Sequence, residues 1–296
     1  MEQQQRQTLD YFTSQARQWQ DKATRPDYSV IKHRQEVVIA VLQSFSRPGK
    51  TLDIGCGTGQ LTLALAQRGW SATGVDYSPA MTDLCRQNCV QHSLEASFIC
   101  ESIFDLDFDP HGFDLITAMG FIEYISLPQL DLFFSKCAQW LKKGGKLVFG
   151  SRNRLFNIHS LNHFTEMELL QSTASFLLDE SRILQSAATQ NEAIEQLKTV
   201  DYLYEHPDRH PHTGVRVDTR YQFTPSELIR KLKHHHYEVE NLYPVHFHAL
   251  PLKLCDREEV AELHKILAQC FARDFLYAHN AIPYSSSFIV EACQND

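Results

Sequence analysis

Through the first 150 residues, short apolar runs of strand length alternate with longer stretches whose apolar positions recur at helical spacing. Tyr11, Phe12, Ala16 and Trp19 predict a helix over Leu9–Lys22, and a second over Val30–Phe45 is stopped by Arg47-Pro48-Gly49. A buried strand at Thr51–Ile54 runs into Gly55-Cys56-Gly57-Thr58-Gly59 and a helix over Gln60–Arg68. Strand Ser71–Val75, helix Pro79–His92 and strand Ala96–Cys100 follow, and after the turn Asp109–Gly112 comes strand Phe113–Ala118. Helix Leu127–Leu141 is broken by Lys142-Lys143-Gly144-Gly145 before strand Lys146–Ser151. Repeated strand–helix units of this size predict an α/β fold whose mostly parallel sheet is covered by helices on both faces.

After Ser151 the rhythm changes. Leu155–Tyr221 predicts helices, over Glu166–Leu178 and within Asp179–Val200, but no strands, and Glu205–Gly214 is a polar, turn-rich linker. Thr224-Pro225-Ser226-Glu227 places Thr at the N-cap, Pro at the first helical position and Glu at the third. That helix precedes strand Tyr237–Phe247, helix Asp256–Ala278 and strand Ser287–Ala292, which makes seven strands in all. The expected organisation is an N-terminal helical segment (1–48), a ligand-binding core (49–154), a helical insertion over the open end of the sheet (155–221), and the completing piece (222–296) with its own helical insertion (251–282).

Composition narrows the class. Lys and Arg total 28 against 36 Asp and Glu, a net charge of −8, and hydrophobic residues make up 43% of the 296. That much apolar content fits a folded chain, and the negative balance argues against nucleic acid as a partner, since phosphate binding needs a basic face. No apolar run reaches membrane-spanning length, and the opening MEQQQRQTLDYF lacks the apolar core of a secretory leader, so a cytoplasmic protein without a membrane partner is expected, as monomer or homodimer. The eight cysteines, Cys85 and Cys89 among them, contain no C-x-x-C pair and read as reduced thiols. No metal site is expected: His206, His210 and His212, and His234-His235-His236, lack the spacing of a ligand set.

The glycine loop between strand and helix carries the chemistry. Its spacing is G-x-G-x-G rather than the dinucleotide G-x-G-x-x-G, and Asp53 stands two residues ahead of the first glycine. A carboxylate there would repel a pyrophosphate and suits a ligand with an ammonium group. Asp76, at the end of the next strand, is placed to accept hydrogen bonds from ribose hydroxyls.

LDIGCGTGQLTLALA, VDYSPAM, FICESIFDLDF, FDLITAMGFIEYI and LKKGGKLVFGSRN resemble, in order, the motifs of the class I S-adenosylmethionine-dependent methyltransferases. The resemblance covers roughly Leu9–Gly150 and Tyr221–Ala292. It implies a doubly wound, Rossmann-like methyltransferase fold of seven strands, with helical insertions forming a lid and S-adenosyl-L-methionine as cofactor. The implied cofactor residues are Asp53, Gly55, Cys56, Gly57, Gly59, Asp76, Tyr77, Glu101, Ser102, Ile103, Met119 and Gly120. Among them Asp76 would hold the ribose, Glu101 the adenine amino group in place of the more usual Asp, Ser102 a backbone N–H, and Ile103 the face of the ring.

Methyl transfer from a sulfonium is an in-line displacement that depends mainly on alignment, so no catalytic residue is forced by the resemblance. Tyr124, His159 and His163 are the candidates on the acceptor side; Arg152, Arg154, Arg216 and Arg220 could meet an anionic acceptor. A lidded pocket favours a small-molecule methyl acceptor. Two other readings stay open at this point: a cofactor-binding protein with altered or lost transfer, and an NAD-dependent oxidoreductase.

Overall fold

The computed structural model describes residues 3–24, 30–207, 215–248, 250, 254 and 257–295. The chain runs α1 (Gln3–Thr24), α2 (Val30–Val41), β1 (Lys50–Ile54), α3 (Gln60–Ala66), β2 (Ser71–Asp76), α4 (Pro79–Gln91), β3 (Ser97–Cys100), β4 (Phe113–Ala118), α5 (Leu127–Trp140) and β5 (Leu141–Arg152). The second half adds α6 (Asn157–Ser160), α7 (His163–Leu170), α8 (Ala174–Ser186), α9 (Gln190–Leu197), α10 (Pro225–His234), β6 (Tyr237–Phe247), α11 (Glu258–Asp274) and β7 (Ser285–Gln294).

Seven strands form one sheet in the order β3-β2-β1-β4-β5-β7-β6. The first five are parallel, and β7 lies antiparallel between β5 and β6. The mostly parallel doubly wound fold is therefore as the sequence implies. Leu52, Ile54, Ile116, Leu147 and Phe149 on one face of the central strands and Leu115, Val148 and Ile289 on the other are buried, as expected where helices cover both faces. The order reverses between β1 and β4, and in open α/β sheets that switch point leaves a crevice at the strands' carboxyl ends.

Two segments depart from the expected elements. Strand β5 starts at Leu141 instead of Lys146: Phe113 pairs with Leu141 and Leu115 with Lys146, so the Lys142–Gly145 break is absorbed as an irregularity within the strand. The helix expected over Glu166–Leu178 is two helices, because Ser172 takes a left-handed φ of +59° and the Thr173 N–H turns back to the Glu168 carbonyl at 2.9 Å. The capping box at Thr224 forms as expected, Glu227 and Thr224 each satisfying the other's backbone N–H.

The inserted helices divide their work. Leu177 of α8 and Ala193, Ile194 and Leu197 of α9 join the main hydrophobic core with Leu228 and Leu232 of α10. Among the described residues of the insertion, its first part, Phe156 to Phe164, and Arg220 at its end face the crevice. Leu155, Phe156, Phe164 and Leu177 are buried, whereas Leu169 stays exposed and Phe176 stacks on Tyr202 at the surface. The described cysteines are all free, and Cys255 lies outside the described residues, as does much of the stretch between Ala249 and Asp256. No helix among the described residues is long and apolar enough to cross a membrane.

Candidate active site

Strand β1 delivers the chain to the crevice, where Gly55 and Gly57 turn it with φ of +66° and +54°. A Cβ at Gly55 would sit 3.0 Å from the Phe121 ring, so that position needs glycine for contact as well as for conformation. The Gly55 and Cys56 N–H groups donate to the Val75 carbonyl at 2.8 and 3.1 Å, pinning the loop to the end of β2. The next residue completes the turn: Asp76 Oδ2 accepts from the Gly57 N–H at 3.0 Å and Oδ1 from the Ser78 N–H at 2.9 Å. Asp53 is buried, its two oxygens accepting from Thr62 Oγ1 at 2.6 Å and Thr117 Oγ1 at 2.8 Å.

Burial pushes both carboxyl groups up to about 6, against hydrogen bonds that hold them down. Two acids raised this way on one wall favour a ligand that brings positive charge or hydroxyl donors.

A cavity of about 840 Å³ extends from this loop. Asp53, Gly55, Cys56, Gly57, Asp76, Tyr77, Glu101, Ser102, Ile103, Met119 and Gly120 all line it. Gly59 does not. It caps α3 at φ +86°, where a Cβ would press on Cys85 Sγ at 3.0 Å, so its part is in packing the loop. The aspartates Asp105, Asp107 and Asp109 are exposed and lie apart from the cavity lining.

Helix α1 closes one side. Gln20 Nε2 donates to Asn88 Oδ1 at 2.9 Å, and Asn88 Nδ2 donates in turn to the Thr58 carbonyl at 3.0 Å. Phe12 and Trp19 from this helix line the cavity, and Tyr11 stands edge-on to Phe12.

The far end of the cavity is basic. Arg34 from α2, Arg152 from the end of β5 and Arg220 from the strand of chain leading to α10 all line it, with the buried Glu123 among them. Burial, and after it the neighbouring Arg220, pushes Arg152 down to about 10. Gly120 is open to Arg34 because a Cβ there would lie 2.5 Å from Nη1. Arg34 is a residue that sequence reading missed.

The acceptor-side candidates separate. Tyr124 lines the cavity between Phe12 and the Arg220 guanidinium, 5.8 Å from its ring. Burial and Glu123 push its phenol up to about 12, which makes it a hydrogen-bond donor near neutral pH rather than a base. His159 lies outside the lining and packs on Tyr284 at 4.8 Å. His163 is exposed and meets Glu166 at 3.3 Å. Arg154 is held by Glu168 behind the cavity wall, and Arg216 is exposed.

The histidines of the expected surface groups are likewise engaged elsewhere: His206 meets Glu227 at 2.7 Å and His235 approaches Asp131 at 3.6 Å, while His210 and His212 lie outside the described residues. A different pair, His246 and His248, lines the basic end of the cavity.

Residues 51–145 match the family model described as a methyltransferase domain. A ubiquinone biosynthesis O-methyltransferase of Coxiella burnetii (strain Dugway 5J108-111) is 38% identical over 118 residues, 40% of this chain and 50% of that protein. Its namesake in Xanthomonas axonopodis pv. citri (strain 306) is 30% identical over 149 residues, 49% of this chain and 61% of that protein. The chain thus spans about half the length of the curated relatives it matches. In fold, the chain is similar to magnesium protoporphyrin IX methyltransferase from Synechocystis PCC 6803 with bound S-adenosylmethionine, at TM-score 0.57 and 14% identity over 100% of this chain and 99% of that one. A methyltransferase from Methanosarcina mazei gives TM-score 0.54 at 18% identity, over 86% and 97% of the two chains.

Proposed function

We propose that the chain is a class I S-adenosylmethionine-dependent methyltransferase that transfers a methyl group to a small anionic molecule, a reading supported by the match of residues 51–145 to the methyltransferase-domain model. The carrying observation is that one cavity joins the acidic wall at Asp53 and Asp76 to the basic end at Arg34, Arg152 and Arg220. The cofactor supplies an electrophilic methyl on a sulfonium. Asp53 takes its ammonium group, Asp76 its ribose hydroxyls, and Glu101 with the Ser102 N–H the adenine edge, while Ile103 packs on the ring. Arg34, lying across Gly120, takes the amino-acid carboxylate.

Arg152, whose Nε is buried without a hydrogen-bond partner at this end of the cavity, favours an acidic acceptor, and guanidinium forks orient such groups well. Holding acceptor and methyl in line is the main contribution the protein must make. The names of the curated relatives support an oxygen acceptor.

Incubation with methyl-labelled S-adenosylmethionine and fractionated organic acids tests this reading. Label should enter a small acid, and Arg152→Met should lower kcat/KM for it at least about tenfold, the loss of one charge-assisted hydrogen bond, with S-adenosylhomocysteine binding little changed. Cofactor binding without label transfer to any fraction would leave a binding protein instead, and stabilisation by NAD alone would overturn the cofactor assignment.

The two raised carboxyls set a pH dependence. Free Asp53 and Asp76 are ionised only above about 6, and a bound ammonium and ribose favour the ionised forms. Binding at lower pH must expel protons, so affinity falls as the pH drops through 6, by up to about tenfold per unit for each group. Calorimetric titration of S-adenosylhomocysteine between pH 5 and 8, at about one-unit steps, should show a plateau above 7 and that fall below 6, and Asp53→Asn should reduce its slope.

A further inference from the structure

The basic end of the cavity holds a side-chain cluster that methyl-donor binding does not use. His246 and His248 on its wall are joined from behind by His264 of α11, and one nitrogen from each of the three lies within 4.8 Å of the others. We infer that His246, His248 and His264 form a three-histidine site for a divalent transition-metal ion, with its remaining ligand position facing the cavity.

The geometry supports three-nitrogen coordination. Tetrahedral zinc with metal–nitrogen bonds near 2.0–2.1 Å needs its nitrogens roughly 3.3 Å apart, so small side-chain rotations close the present spacing. Both ring nitrogens of His248 are buried and make no hydrogen bond in the structure. A buried ring with neither nitrogen satisfied is costly unless something takes it up. His246 is held by the Ser286 hydroxyl at 2.7 Å from Nδ1, the kind of outer contact that orients a metal-bound imidazole through its other nitrogen. Its backbone sits at φ +61°, a left-handed conformation that turns the side chain out of the alternation of β6. Arg34 and Arg152 line the same end of the cavity.

An all-imidazole set suits zinc, iron, copper or nickel rather than magnesium or calcium, which take oxygen ligands. The same arginines oppose a bare cation, so the site calls for an anionic fourth ligand. An oxygen of the acidic acceptor, lying between the ion and Arg152, meets both demands. Only this identity of the fourth ligand rests on the methyl-transfer reading; the histidine site stands without it.

Cobalt(II) is the probe, added to the full chain after treatment with a chelator. One equivalent should give a ligand-field absorption band that zinc bleaches. His248→Ala and His264→Ala should each weaken cobalt binding by at least about tenfold, the scale seen when a metal's supporting groups are removed. S-adenosylhomocysteine binding by His264→Ala reports that the variant is folded, and His264→Asn serves the same purpose if the alanine variant is not. Absence of the band, or cobalt affinity undiminished in a folded His264 variant, overturns the proposal; the latter result would place the ion on surface histidines such as His234-His235-His236. Methyl-label transfer is scored separately, so failure of the metal site and failure of the methyl-transfer reading give different results.

Discussion

Asp76→Ala is expected to weaken S-adenosylhomocysteine binding about 100- to 1,000-fold, or roughly 3–4 kcal/mol. With Asp76 holding the ribose as proposed, two hydroxyls lose a charged acceptor, and hydrogen bonds to charged groups contribute about 1.5–3 kcal/mol each. The carboxylate also accepts from the Gly57 and Ser78 N–H groups, so its removal loosens the glycine loop that forms the cavity wall. Titration calorimetry reads the loss directly. Thermal unfolding without ligand separates the two contributions, since most of the effect should appear only when ligand is present. Binding within threefold of the parent chain would remove Asp76 from the ligand-contacting set and leave it as a loop brace. Asp53→Asn should cost less, because the amide keeps one oxygen to accept from one of the Thr62 and Thr117 hydroxyls and its NH2 can donate to the other.

The acidic wall was legible because several local constraints coincide there: a buried strand, left-handed glycines and an acid at the next strand's end lie within a short stretch of chain. The basic end was only half legible. Arg152 and Arg220 stood near recognised strand and helix boundaries, but Arg34 comes from a helix outside the motifs. A signal for it existed nonetheless. Val37, Val38 and Val41 are buried at three, four and seven positions after it, which puts an arginine on the apolar face of α2. His264 had no comparable signal, since its position against His248 depends on how α11 packs on β6.

Elements followed the same logic. Strand β6 runs from Tyr237 to Phe247 as its pattern predicts, whereas the division of Glu166–Leu178 turns on one left-handed serine in a stretch with neither glycine nor proline. Tertiary contacts decide such a break, here the return of the Thr173 N–H and hydroxyl to the Glu168 carbonyl.

That contact belongs to the network with the other large expected effect. Arg154 donates through Nε and Nη2 to the two oxygens of Glu168 at 2.9 and 3.0 Å, with 3% and 1% of the two side chains exposed. Asn157 Nδ2 and the Thr173 hydroxyl also donate to this carboxylate, and Arg154 Nη1 reaches the Glu205 carbonyl at 2.9 Å. One ion pair thus ties the end of β5 to α6, α7 and the chain beyond α9.

Glu168→Ala leaves a buried guanidinium without its partner, and breaking such a pair costs about 3–5 kcal/mol. Chemical denaturation should show that loss as a lowered midpoint. Replacing both partners, as Arg154→Met with Glu168→Leu, should cost less than Glu168→Ala alone, because desolvation of the two charges offsets much of their attraction. The double-mutant cycle isolates the coupling between them. If the double replacement proves as destabilising as Glu168→Ala, the hydrogen bonds to Asn157, Thr173 and Glu205 matter more than the charge pair. Since Phe156 at the N-cap of α6 and Asn157 and Ser160 within it line the cavity, the double variant should also bind S-adenosylhomocysteine normally while turning over the proposed acid acceptor more slowly. That pattern follows if the network's task is to hold the acceptor wall in place.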